Sequence, residues 1–166
     1  SLLDARLQLD AAVFEIVKQN ARVADPLRPG FNALAGEQQV RGASLNVSGS
    51  VAAGLTVSGG YTLLDSEETK TAPGLDNAGQ PLLNVPRHNF SLWLNYSVLP
   101  SLEIGTGMRY VGERLARNVS PVNAAPGYWA FDAMGKYVVN DHVTLKLNLT
   151  NITDKLYHDQ LHPFHV

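Results

Sequence analysis

Residues 127–159 alternate apolar and polar side chains with a period of two. In the first half, the apolar positions are Trp129, Phe131, Ala133, Tyr137 and Val139, and in the second half they are Val143, Leu145, Leu147 and Leu149. Asp132, Lys136 and Lys146 lie between them. A period of two predicts β-strands whose two faces differ. We therefore expect two long strands, joined by a turn at residues 138–141, with one apolar face and one polar face.

The same alternation predicts strands over residues 39–50, 55–67, 87–98 and 102–114. Residues 7–21 alternate less well, because Phe14 and Ile16 fall on the face opposite to Val13. A bulge near Val13, or a second face that is partly buried, would explain this. A helix is the alternative for residues 7–21, since Leu, Ala, Glu and Lys are good helix formers. The neighbouring segments favour a strand.

These seven candidate strands are mostly about 11–15 residues long and are joined alternately by short and long connections. The short connections are residues 51–54, 99–101 and 138–141, and the long ones are residues 22–36, 69–86 and 115–126. Strands of soluble proteins run about 5–6 residues, whereas a tilted membrane-spanning strand needs about 9–11. The pattern predicts an all-β fold, an antiparallel segment of a transmembrane β-barrel with short turns on one side and long loops on the other.

The composition argues against several other classes of protein. The 166 residues include 13 Lys and Arg against 15 Asp and Glu, so we expect no nucleic-acid partner. There is no apolar run long enough for a membrane-spanning helix. The chain has no cysteine, and hence neither a disulfide framework nor a thiolate metal site. We find no arrangement of a nucleophile and a base, and therefore predict that the chain is not an enzyme.

Two other folds fit an alternating pattern. A soluble β-sandwich module would place the apolar face inside, but the long strands, the Asn-, Ser- and Thr-rich polar face and the aromatics near strand ends favour a barrel. A passive porin-like barrel is the other alternative. Since single-chain bacterial barrels have even strand numbers, we expect the natural chain to continue past Val166 by one more strand, as a piece of something larger.

Several short motifs occur in a consistent order along nearly the whole chain. They are Gln39-Val40-Arg41-Gly42, Asn84-Val85-Pro86-Arg87-His88, Arg109-Tyr110-Val111-Gly112, Pro126-Gly127-Tyr128, Phe131-Asp132 and Asn151-Ile152-Thr153-Asp154-Lys155-Leu156-Tyr157. Together they resemble the motifs of TonB-dependent outer-membrane receptors. Within that family the chain is most similar to ferric-siderophore receptors, and the segment His162-Pro163-Phe164 to those of the catecholate type.

The resemblance implies that residues 1–166 are the C-terminal portion of a barrel of about 22 strands, without its plug domain and final strand. It implies an outer membrane location in a Gram-negative bacterium, with lipid around the barrel. The whole receptor would bind a ferric siderophore at its outer loops and import it with energy from the TonB complex, which acts through parts outside this chain. No resident cofactor is implied, because the iron arrives inside its chelator.

The resemblance points to arginines as candidate ligand contacts. Arg114 and Arg117 lie at the start of a predicted outer loop. Arg109 lies on the preceding strand, further inside the predicted barrel. Guanidinium groups bind anions and stack on aromatic rings, and a ferric catecholate is both anionic and aromatic. For Arg109, an ion pair with Glu103 or Glu113 is the favoured alternative.

Trp93 and His158 complete the candidate ligand residues. Trp93 lies on the polar face, where it would contact the plug or the ligand, although packing inside the wall is favoured. His158 begins a segment with His162 and His165 beside Asp159, a set that could hold a transition metal. A loop that is merely rich in histidine is the favoured reading, and we predict no metal site.

Overall fold

The chain forms one long antiparallel sheet with a small two-stranded sheet at one end. The computed structural model describes residues 7–25, 27–28, 30–72, 74, 78–117 and 123–161. No helix within these ranges is both long enough and apolar enough to cross a membrane. The strands are β1 Leu7–Ala24, β2 Asn32–Ala52, β3 Leu55–Lys70, β4 His88–Leu99, β5 Leu102–Val111, β6 Arg114–Arg117, β7 Asn123–Ala125, β8 Tyr128–Asn140 and β9 Val143–Leu149.

The large sheet follows the order of the chain, β1-β2-β3-β4-β5-β8-β9, while β6 pairs only with β7. The short connections all lie at one end, at residues 53–54, 100–101 and 141–142. At the last of these, the Asn140 side chain accepts hydrogen bonds from the backbone N–H groups of His142 and Val143, at 2.9 and 3.0 Å. The seven predicted strands and the alternation of short and long connections are thus confirmed. We call the two ends of the sheet the short-turn end and the long-loop end.

The first long connection is shorter than predicted, and the expected loop over residues 22–36 is wrong. β1 and β2 stay paired up to Ala24 and Asn32, so the connection is only residues 25–31. A bulge near Val13 is also wrong, because the register runs unbroken from Leu7 to Gln19. The irregularity lies at Asn20, whose φ is 55°. It shifts the register and lets the hairpin continue beyond it.

The third long connection contains secondary structure that the sequence pattern missed. β5 ends at Val111 rather than at Arg114, and Arg114 begins β6, which pairs with β7. Residues 118–122 between β6 and β7 lie outside the described part of the chain. Ala116 and Ala125 from this hairpin are buried with Leu161, so the one cluster of buried apolar residues found among the described residues lies at the long-loop end.

The apolar face of the large sheet carries aromatic side chains in two rows. Near the long-loop end, register places Tyr61, Phe90, Tyr110 and Trp129 side by side on β3, β4, β5 and β8. The rings on β4, β5 and β8 are in contact: the Tyr110 and Trp129 centroids lie 5.0 Å apart, and the Phe90 and Trp129 centroids 5.9 Å. Near the short-turn end lie Tyr96 and Tyr137, which are roughly half exposed.

The spacing of the two rows fits a membrane. Phe90 and Tyr96 are six residues apart on β4, and Trp129 and Tyr137 are eight apart on β8. At about 3.4 Å per residue these separations are roughly 20 and 27 Å along the strands. Outer-membrane barrels carry an apolar band about 25 Å tall between two aromatic girdles. Beyond the aromatic row near the long-loop end, the same face carries charged side chains. Arg41 pairs there with Glu15 at 2.9 Å.

The apolar face has no second layer packed on it within the described residues. Leu45, Leu145 and Leu147 are more than half exposed there. A soluble sandwich would cover such a face with a second sheet, but the only other sheet described is the small β6–β7 hairpin. The large sheet is open, with β1 and β9 at its edges. A single sheet of this length therefore needs an apolar surrounding and the pairing of a closed barrel.

Asp25 organises the connection between β1 and β2. Its carboxylate accepts hydrogen bonds from the backbone N–H of Leu27 and from Nε of Arg28, both at 2.9 Å. The Leu27 N–H has the largest effect and lowers the pKa of Asp25; partial burial acts in the opposite direction, and Arg28 lowers the pKa further. The net result is a pKa below the usual range for an aspartate.

We expect this connection to loosen in acid. A carboxyl group with a lowered pKa in the folded state stabilises that state above its unfolded pKa, close to 3.8, and the stabilisation is lost as the pH falls through the lower folded value. The protection of the Leu27 amide from hydrogen exchange, measured against an unstructured peptide at the same pH, should therefore fall below about pH 4. The Asp25→Asn variant should be less protected at neutral pH and should lose much less protection in acid. An equal acid response in both proteins would contradict the role of Asp25.

Candidate ligand site

The segment after β9 folds into a compact turn that returns the chain to the polar face. Asn151 and Asp154 adopt positive φ, 51° and 49°, which asparagine and aspartate tolerate better than most residues. The Asn151 side chain accepts from the backbone N–H of Lys155 and donates to the carbonyl of the same residue. The Asp132 carboxylate accepts from the Asn151 N–H at 2.7 Å. These bonds give a physical role to the Asn151–Asp154–Lys155 motif: it determines where Tyr157 lies.

Tyr157 lies flat against Tyr128 of β8. The ring centroids are 4.2 Å apart and the planes are inclined by only 8°. Arg109 of β5 donates a hydrogen bond from its guanidinium to the Tyr157 hydroxyl, and its Cζ lies 5.4 Å from the centre of the same ring. Tyr128 is buried. Two strands and the turn therefore build a shelf of two aromatic rings with a cation at its side.

Arg114 approaches the other side of this shelf. Its Cζ lies 5.8 Å from the centre of the Tyr128 ring, and its guanidinium donates to the backbone carbonyls of His158 and Asp159. The Tyr128 hydroxyl donates to the Asp159 carboxylate at 3.0 Å. Arg114 is only 6% exposed. The segment 158–161, which we call the strap, thus covers the shelf.

The far end of the strap is tied to the connection between β3 and β4. The Asn84 side chain donates to the Leu161 carbonyl at 2.8 Å and accepts from the Leu161 N–H at 2.9 Å. The Asn84 N–H donates to the Leu115 carbonyl of β6 at 2.9 Å. Three segments of the long-loop end therefore meet at Asn84.

The charges at the shelf are not balanced by direct ion pairs. Three charged side chains contact the two stacked tyrosines: Arg109 at Tyr157, and Arg114 and Asp159 at Tyr128. Within the described ranges, neither guanidinium lies within 4.0 Å of a carboxylate oxygen. The Nε atoms of both arginines are buried and have no hydrogen-bond partner in the part of the chain that the structure describes. Guanidinium groups buried in this way attract anionic oxygens.

The structure brings two of the candidate ligand residues together. Arg109 and Arg114 lie on either side of the tyrosine shelf, and His158 is an exposed member of the strap whose carbonyl binds Arg114. Arg117 ends β6, and its side chain is outside the described part of the structure. The expected ion pair of Arg109 with Glu103 or Glu113 is wrong, because Arg109 contacts Tyr157 while Glu103 pairs with Lys136 at 3.5 Å.

Trp93 lies apart from the shelf, lower on the polar face. Its ring covers Gly107 of β5 so closely that a Cβ at Gly107 would lie 2.1 Å from a ring carbon. Its Nε1 donates to the Asn95 side chain at 2.7 Å. The packing favoured from the sequence is therefore present, and a ligand contact for Trp93 stays a prediction. A concavity lined by Trp93, Gly59, Gly60 and Asp132 joins this region to Arg109.

The structure describes only part of the histidine segment that could hold a metal. His162 and His165 lie outside the described residues, so the proposed set is only partly visible. Among the residues that are described, no group of three or more His, Cys, Asp or Glu could hold a metal ion. His158 takes part in the strap through its backbone.

Tyr128, Tyr157, Asn84 and Asp159 were missed as site residues by the sequence reasoning. The two tyrosines occur in the motifs that carry the family resemblance, which was the available signal. Nothing in the period-two pattern shows that they stack, because they are far apart in the chain and lie in different elements. Asn84 also opens one of those motifs, but nothing in its sequence context shows that it binds Leu161.

A family model described as "TonB dependent receptor-like, beta-barrel" matches residues 2–152. The chain therefore belongs to the TonB-dependent receptor β-barrel family, a family of transport receptors. The two faces of the large sheet match the apolar outside and polar inside that outer-membrane barrels have in general.

Relatives cover nearly all of this chain. It is 36% identical over 99% of its length to a probable TonB-dependent receptor, BfrD, of Bordetella pertussis. The crystal structure of the siderophore receptor PiuA from Acinetobacter baumannii is 36% identical over 97% of the chain, with a TM-score of 0.82. The ferric-catecholate import receptor Fiu of Escherichia coli, in its closed form, is 28% identical over 98%, with a TM-score of 0.76. The chain spans only 23–24% of these relatives.

Proposed function

We propose that the chain is part of the barrel of an outer-membrane receptor that binds a ferric siderophore and imports it with energy from the TonB complex. The observation that carries this proposal is the 36% identity with a siderophore receptor over almost the entire chain. The lumen-facing shelf of two arginines and two stacked tyrosines supports it, since this chemistry suits an anionic, aromatic iron chelate. TonB would act through parts of the receptor outside this chain, and outer-membrane lipid would contact the apolar face.

We propose that Arg109, Arg114, Arg117, Trp93 and His158 line the ligand path from the outer loops into the lumen. Arg109 and Arg114 are supported by their position at the tyrosine shelf. Arg117 is supported only by its place at the end of β6, at the long-loop end. The iron chelate is the cargo in this proposal, so the chain needs neither a resident cofactor nor a catalytic group.

The function is tested with the full-length receptor in its own cell. Uptake of ⁵⁵Fe carried by a catecholate chelator should fall to background when the receptor gene is deleted, and again when TonB is removed from cells that keep the receptor. Return of the gene should restore uptake. Uptake that persists without TonB would contradict active transport and favour a passive porin-like barrel.

A further inference from the structure

The strap, residues 158–161, is bound to the tyrosine shelf as a ligand would be. Arg114 is nine-tenths buried, yet its partners are two neutral backbone carbonyls rather than an anion. An anionic oxygen at a guanidinium adds the attraction between two opposite charges to the hydrogen bonds, which a neutral carbonyl cannot do. An anion that reached Arg114 would therefore be a stronger partner than the strap.

The shelf under the strap does not depend on the strap. Tyr157 is positioned by the turn that begins at Asn151, and Tyr128 and Arg109 belong to two strands of the wall. The unpaired Nε atoms of Arg109 and Arg114 stay at the shelf whether the strap is in place or has moved away. If residues 158–161 moved away, two guanidinium groups and two stacked rings would be left facing the lumen.

The strap is held at two places. At the first, Arg114 and the Tyr128 hydroxyl donate to the carbonyls of His158 and Asp159 and to the Asp159 carboxylate, and these are the bonds that a ligand would replace. At the second, Asn84 makes two hydrogen bonds with Leu161, which packs on Ala116 and Ala125. The side chains at positions 158, 159 and 160 are exposed. Such a segment has little buried surface to lose when it opens.

We propose that the strap is an internal occupant of an anion site formed by Arg109, Arg114, Tyr128 and Tyr157, and that an anionic iron chelate exchanges with it. The inference rests on the proposed function for the identity of the ligand. The chelate takes the guanidinium hydrogen bonds that the carbonyls of His158 and Asp159 occupy in this structure, and its aromatic rings lie against the tyrosine shelf. The strap opens by rotation after Tyr157.

The first test loosens the strap without changing the shelf. Asn84→Gly removes both hydrogen bonds to Leu161, and glycine suits the φ of 58° at this position. In the purified full-length receptor, the affinity for ferric tris(2,3-dihydroxybenzoate) should rise about tenfold, because a competing internal partner is weakened. Asn89→Ala, which loses only a weak bond to Pro86, is the matched control and should bind as the wild type does.

Whether Asn84→Gly raises or lowers the affinity decides whether the strap competes with the ligand. If the strap is a fixed wall of the ligand site, Asn84→Gly lowers the affinity, and the inference is overturned. Arg114→Lys should lower the affinity in either case, since lysine cannot reproduce the planar two-donor geometry. A ferric trihydroxamate without net negative charge should be indifferent to the Asn84 substitution.

The second test observes the strap directly. A spin label on a cysteine introduced at exposed Gln160 should become mobile when ferric tris(2,3-dihydroxybenzoate) saturates the receptor, and also in the unliganded Asn84→Gly variant. A label at Leu156, which is 88% exposed and lies before the shelf, should not respond. A label at position 160 that stays immobile while the anion is bound contradicts the exchange.

The same label separates this inference from the proposed function. A receptor that imports other ferric chelates but never binds the catecholate anion overturns the inference and leaves the function standing. A receptor whose label at position 160 responds to iron-free 2,3-dihydroxybenzoate, but which takes up no ferric chelate, keeps the inference and overturns the function.

Discussion

Replacing Leu94 by arginine is expected to cost about 2–4 kcal/mol in the stability of the inserted barrel. Leu94 lies on the apolar face of β4, in register with Val57 and Thr106. On β8 this row continues to Ala133, which is four residues from both Trp129 and Tyr137, so the row should lie near the centre of the bilayer. A guanidinium there loses its hydration, and the band offers it no charged partner. The measurement is reversible urea unfolding of the full-length receptor in lipid vesicles.

Thr56→Arg is the matched control for this substitution. Thr56 lies beside the same row but on the polar face, where it is exposed, and we expect a change below about 1 kcal/mol. Leu147→Arg should cost less than Leu94→Arg, because Leu147 lies opposite Gly135, closer to the short-turn end. Equal losses for Leu94→Arg and Thr56→Arg would contradict the assignment of an apolar lipid face and a polar lumen face.

Gly107→Ala is expected to destabilise the barrel by about 1–3 kcal/mol. The new Cβ would lie 2.1 Å from a ring carbon of Trp93. The ring cannot move away freely, since it is hydrogen-bonded to Asn95 and also covers Gly105. The tryptophan must therefore leave its position on the wall. Urea unfolding and the change in Trp fluorescence of the folded receptor both report this displacement.

Gly135→Ala provides the control, because nothing lies within 4 Å of a Cβ at that position. It lies on the apolar face of β8, in a strand as regular as β5. Alanine there should be neutral or stabilising by about 0.5 kcal/mol, through the smaller entropy of the unfolded chain. If both substitutions cost the same stability, the loss is a general effect of replacing a strand glycine and is not caused by the packing of Trp93 on Gly107.

The strands were predictable because the side-chain period is a local property. Leu45 and Tyr61 on the apolar face, and Lys146 on the polar face, follow from alternation alone. The predicted loop at residues 22–36 failed because loop residues were read from Asp, Pro and Gly content, whereas β1 and β2 stay paired above the bulge at Asn20. Backbone pairing with a neighbour overrides local turn preference once the hairpin is in register.

The candidate site was predictable only in part. Arg109 and Arg114 were candidates from the sequence, because a guanidinium near an outer loop suits the anionic ligand that the family resemblance implies. Their true neighbours were not found, and Arg109 was expected to pair with a glutamate on its own strand. The partner is Tyr157, 48 residues further along the chain. A period-two pattern describes which face a residue occupies, but it contains no information on which distant segment folds onto that face.

The hairpin at residues 127–159 shows most clearly which features follow from the sequence and which follow from the tertiary structure. Its sequence alone determined two strands with an apolar and a polar face, because side chains in a strand point alternately to opposite sides. Only the tertiary structure decided that Trp129 joins a row of rings with Tyr110 and Phe90, and that Tyr128 stacks on Tyr157 beneath a strap held by Arg114. Strand register and chain reversal create these contacts, and both depend on segments far away in the sequence.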